Sequence, residues 1–137
     1  MRTLSFAVCL LVAIGCRANT PTGPTTDFIT LQSITPAAGT ALNAGERVTI
    51  TAVLECAIVT AEGGFAAMIV QDQRNASLLP FDGRSPEATL RKGTSTVTLS
   101  HDIIVPASGS TVNALFPIFI DGSNQTRAVA RQAYTVR

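Results

Sequence analysis

The sequence predicts an all-β fold, on three features: two runs of apolar–polar alternation, turn residues at short intervals, and no stretch with a helical period from Phe28 onward. Between Arg47 and Val59, Val48, Ile50, Ala52, Leu54, Cys56 and Ile58 share one parity, while Thr49, Thr51 and Glu55 hold the other. Successive strand side chains point to opposite faces, so the first set is predicted to face a core. Ser95 to Val105 repeats the pattern, with Val97, Leu99, Ile103 and Val105 inward and Thr96, Thr98, Ser100 and Asp102 outward.

Five further strands are expected between turn signals: Phe28 to Ile34, Phe65 to Gln73, a weak segment near Ala88 to Arg91, Thr111 to Ile120, and Arg127 to Val136. The predicted turns fall at Pro36 to Gly39, Gly63-Gly64, Asp82-Gly83, Lys92-Gly93, Pro106 to Ser110 and Asp121 to Asn124. About seven short antiparallel strands is the count of a two-sheet sandwich. Pro117 cannot donate to a ladder, so a bulge or strand break is expected within Leu115 to Ile120. Arg74 to Lys92 carries the least pattern of any segment in this region.

The order Ile34-Thr35-Pro36-Ala37-Ala38-Gly39, then Leu42-Asn43-Ala44-Gly45-Glu46-Arg47-Val48-Thr49-Ile50, resembles the opening of bacterial Ig-like domains. There a Pro-containing first turn and a Gly-containing second turn lead into the first long core strand. The closing Ala133-Tyr134-Thr135-Val136 is similar to the last strand of such domains. The resemblance implies an Ig-like antiparallel β-sandwich over residues 28–137. It transfers no catalytic or binding residue, because this fold hosts many unrelated functions.

The amino terminus has a different character. Met1-Arg2-Thr3 carries one positive charge, and Leu4 to Ile14 is uncharged and mostly apolar, which is the layout of an export signal. A permanent span needs about 20 apolar residues, and this run stops at Gly15-Cys16-Arg17. Ala13-Ile14-Gly15-Cys16 resembles the bacterial lipobox, whose Cys is acylated with diacylglycerol before cleavage. The resemblance implies a signal peptide over residues 1–15, lipidation at Cys16, and a mature protein held on a membrane by its acyl chains. Arg17 stands where an Asp would imply inner-membrane retention, so the outer membrane is the expected site. Residues 16–27 combine the lipidated Cys with a Thr-, Pro- and Gly-rich tether that blocks both helix and strand.

Charge narrows the partners. With Arg2 lost alongside the leader, the basic count falls from 10 to 9 and matches the 9 acidic residues. Nucleic acid needs clustered positive charge and is not expected as a partner. Carbohydrate is disfavoured too, because no Trp is present and Tyr134, the one Tyr, follows the core parity.

No catalytic, cofactor or metal site is expected. His101 is the only His, which excludes multi-His metal centres. Its parity is inward and that of Asp102 outward, so the two do not form a base and its orienter; a rim imidazole satisfied by a neighbour is expected instead. Cys56 is the thiol left once Cys9 is removed and Cys16 acylated, and its inward parity predicts a small buried hydrophobe. The acids occur singly near turns or on outward parities, and Asp121-Gly122-Ser123-Asn124 reads as a hairpin turn, not a calcium loop.

One surface is expected to make contacts. Phe65 to Val70 and Leu115 to Ile120 are apolar on both parities. With Phe65, Ala67 and Ile69 assigned to the core, Met68 and Val70 would face outward beside Leu115 and Phe119 and form an apolar contact face. The expected function is a non-catalytic envelope lipoprotein that presents an Ig-like module for protein contact or envelope assembly. The alternative is an enzyme inhibitor or accessory subunit acting through the turns at Glu62 to Phe65 or Asp121 to Arg127.

Overall fold

The computed structural model describes residues 23–79, 85–123 and 125–137. Six antiparallel strands follow in order: β1 (Phe28–Thr35), β2 (Arg47–Ala67), β3 (Ile69–Asp72), β4 (Glu87–Ile104), β5 (Thr111–Ile120) and β6 (Thr126–Thr135). They form an antiparallel β-sandwich, all-β as the alternating runs predict and with the Ig-like layout that the resemblance implies. The expected leader, Cys16 and most of the tether lie outside the described residues.

Two long strands build both layers. β2 and β4 pair continuously up to Ile58↔Gly93, shift register, and resume at Gly63↔Arg91. Before that corner β2 lies between β1 and the second half of β4. After it, β2 lies between the first half of β4 and β5, while β3 continues along β5 and β6 closes the sheet. Counting each long strand once per layer, with the end of β2 and β3 together as the predicted Phe65 to Gln73 strand, recovers the expected seven strand segments. The corner is held on its outside by a Lys92–Glu62 ion pair at 2.7 Å.

This arrangement corrects two predicted turns. Lys92-Gly93 lies inside β4, where Gly93 takes a φ of +106° that a residue with a side chain rarely adopts, so it kinks the strand without ending it. Gly63-Gly64 lies inside β2. A Cβ on Gly64 would sit 2.1 Å from the Phe119 carbonyl oxygen, so glycine here permits β2 and β5 to approach closely. The weak segment at Ala88 to Arg91 is a strand, the first part of β4. Asp82-Gly83 lies outside the described residues.

Pro117 does not break β5. The strand runs through it, opposite Val129, and the register with β6 shifts one step later, between Ile118 and Phe119. A missing donor is tolerated because the local ladder is already irregular.

The core draws on both layers: Ile50, Leu54 and Ile58 from β2, Leu99 and Ile103 from β4, Phe116 and Ile118 from β5, and Tyr134 from β6. The Tyr134 hydroxyl donates to the Pro36 carbonyl at 2.7 Å, which ties the last strand to the loop after the first. Burial pushes that phenol up to about 12. At the opposite margin Asp27, assigned by sequence to the tether, is part of the fold. Its carboxylate accepts from the Val59 amide at 2.7 Å, the Thr60 amide at 3.0 Å and the Thr60 hydroxyl.

Candidate contact face

The strand phase decides which residues the second layer presents. Because β2 runs unbroken through Gly63-Gly64, the inward parity set by Ile50, Leu54 and Ile58 carries on to Ala66, Met68 and Val70. Met68 and Val70 are each 0% exposed and belong to the core. Their predicted outward placement, which followed from assigning Phe65, Ala67 and Ile69 to the core, is therefore corrected: Ala66, Met68 and Val70 hold the inward parity. Leu115 and Phe119 keep their outward direction, each half-buried on β5.

Their neighbours on that face are Phe65 and Ile69. Phe65 pairs with Phe119, and the two rings stack with centroids 5.0 Å apart and planes at 21°. Ile69 pairs with Leu115, and Pro117 pairs with Val129, which is 37% exposed. The result is an apolar band across β2, β3, β5 and β6; sequence alternation placed Leu115 and Phe119 on it, and would have placed Phe65 and Ile69 there too had the phase been carried through the glycines. At one end the band opens into a groove of about 450 Å³, lined by Gln71, Asn113, Leu115 and Arg131. Gln71 donates to the Asn75 side-chain oxygen at 3.0 Å, which gives that groove a polar wall.

The residues weighed for chemistry stay apart. His101 is half-buried and points inward; its Nε2 is buried without a hydrogen-bond partner, so the expected satisfying neighbour is absent at that atom. Asp102 faces the other way, accepting from the Thr49 hydroxyl at 2.6 Å and from Arg47 at 2.8 Å. The bonds from Thr49 and Arg47 hold its carboxyl below the usual range. Cys56 is buried, and burial, with the Glu55 charge second, pushes its thiol up to about 11. A thiol held so far above neutral pH is protonated and a poor nucleophile. Among the described residues no three His, Cys, Asp or Glu side chains gather closely enough to hold a metal ion.

No protein-family model matches the chain, and no curated protein matches it. Among solved structures the chain is similar to part of a protein assigned as a β-galactosidase from Bacteroides fragilis, with a TM-score of 0.51 and 12% identity over 82% of this chain. It is likewise similar to part of a β-glucuronidase from glycoside hydrolase family 2, with a TM-score of 0.51 and 14% identity over 82% of this chain. The likeness shows the fold alone. The chain spans 16% and 11% of the length of those two proteins.

Proposed function

We propose that the chain is a non-catalytic lipoprotein of the cell envelope, anchored through acylated Cys16, whose Ig-like sandwich serves protein contact or envelope assembly. The anchoring part rests on the apolar leader and the Ala13-Ile14-Gly15-Cys16 join. It is supported by a sequence spacing: Asp27, which bonds to Val59 and Thr60, and β1 follow Cys16 by about ten residues, which would hold the domain close to a membrane surface. The outer-membrane assignment rests on Arg17 alone.

The observation that carries the contact part is the outward apolar band around the stacked Phe65 and Phe119. Contiguous apolar surface on an exposed sheet face is a feature of interaction sites. The test is crosslinking in intact cells followed by purification of the detergent-extracted protein. A partner captured by the wild type and by Thr98→Glu, which alters the outer face of the other layer, is expected to be lost with Phe119→Glu. Loss instead through changes in the Asp121 to Arg127 turn would favour the inhibitor or accessory-subunit reading. The other loop assigned to that reading, Glu62 to Phe65, lies inside β2 and offers no protruding turn.

A further inference from the structure

β6 is an edge strand, and the direction of its unused backbone groups can be read from its end. It pairs only with β5 along its length. The Thr135 carbonyl accepts from the Leu42 amide at 2.9 Å, so it points away from β5. Backbone groups change sides at every residue, so the N–H and C=O of Ala133, Arg131 and Val129 also point away from β5. The Ala133 carbonyl accepts from the Gln132 side chain at 2.7 Å, in keeping with that direction. The other five groups lie outside the β5 ladder, and among the described residues β6 pairs with no second strand.

A row of this kind accepts a further strand unless something blunts it. β1 is blunted by a bulge between Leu31 and Ser33. From Val129 to Ala133, β6 has neither bulge, Pro nor Lys. Beside it lies an open groove of about 330 Å³, lined by Leu31, Ile34, Ala37 and Gln132.

The side chains select the occupant. Val129 and Arg131 pair with Pro117 and Leu115, so both lie on the outer face next to the apolar band. Arg131 has no ion-pair partner among the described residues. An incoming strand would place its own alternate side chains beside these two. A second copy is a poor occupant: β6 contains no acid, so self-pairing sets no carboxylate against Arg131. We propose that the free edge of β6 takes an extended segment of another protein by strand addition, with a carboxylate beside Arg131 and an apolar side chain beside Val129. The proposal rests on the contact-module reading and names how and with what chemistry the partner engages.

Amide hydrogen exchange on the full chain in detergent micelles tests it. The probe is a blocked peptide of about ten residues, alternating threonine and valine with glutamates interspersed, and the control replaces each glutamate by lysine. The glutamate peptide is expected to slow exchange at Val129, Arg131 and Ala133 about tenfold or more, and the lysine peptide to leave it unchanged. Val129→Pro removes an N–H that makes no internal bond, so it is expected to keep the fold and abolish the protection. Arg131→Glu, which leaves the backbone intact, is expected to reverse the peptide preference. No protection by the glutamate peptide, equal protection by both peptides, or protection surviving in a folded Val129→Pro would overturn the proposal. Acylation of Cys16 plays no part in the readout, so failure here leaves the anchoring standing, and an unacylated Cys16 leaves the edge site standing.

Discussion

Phe65 and Phe119 lie directly opposite one another on β2 and β5, their rings stacked 5.0 Å apart on the face that turns away from the core. Their neighbours in sequence, Ala66 and Ile118, are fully buried on the other side of the same sheet. A single residue of phase thus separates a core position from a surface one. The stacked pair sits in water's reach yet contributes to sheet pairing, as aromatic cross-strand pairs do.

Charge placed on the two sides of this sheet should have opposite consequences. Met68→Glu puts a carboxylate into a fully buried apolar site and is expected to destabilise by more than about 4 kcal/mol, enough to unfold a marginal domain. Phe119→Glu loses the stack and some half-buried area, about 1–2 kcal/mol, and leaves a folded protein. Chemical denaturation of the two variants checks this; equal losses would reverse the assigned phase.

Gly64 should tolerate no side chain. Gly64→Ala sets a methyl group 2.1 Å from the Phe119 carbonyl oxygen and 3.0 Å from the Ile120 Cα, so the two strands must separate. The expected cost is about 1–3 kcal/mol, read as a drop of several degrees in Tm. An unchanged melting temperature would mean that β2 and β5 do not approach so closely.

His101→Leu should be neutral or stabilising by about 1 kcal/mol, because it replaces a buried nitrogen that has no partner with an apolar side chain. A loss of more than about 1 kcal/mol on denaturation would show that the imidazole is satisfied after all.

Acid should weaken the fold through two carboxylates. Burial raises the Asp27 carboxyl, but the bonds from Thr60 and Val59 and the Arg127 charge outweigh it and hold it below its ordinary 3.8. Asp102 is held below the same value by Thr49 and Arg47. Groups lowered on folding contribute stability that is fully present above the unfolded value and lost as pH falls through the folded one. Stability is therefore expected to hold to about pH 4 and to decline below it. The double variant Asp27→Asn with Asp102→Asn should start lower at neutral pH and decline less steeply. Parallel curves would show that other groups drive the acid limb.

The layers were legible in the sequence wherever one parity was mostly polar. Val48 to Ile58 and Val97 to Val105 announce their inward faces because Thr, Ser and acids occupy most of the other parity, with Val53, Ala57 and Ile104 as the exceptions. Phe65 to Val70 does not, since both parities are apolar there and the phase must come from the preceding strand. Glycine misled twice: at Gly64 it serves a close approach, and at Gly93 a kink, while turns use the same residue for its backbone freedom. Asp27 looked like tether because its role depends on Val59 and Thr60, which are distant in sequence. The β6 edge was equally hidden, because which backbone groups stay unpaired is a property of topology.

Mass spectrometry of the amino-terminal fragment of the mature protein, extracted from bacterial envelopes, bears most directly on the lipid-anchored reading. A chain that starts at Cys16 and carries a glyceryl group with fatty acyl chains is the expected result. A leader cut elsewhere, or a Cys16 recovered with a free thiol in water-soluble material, would contradict it.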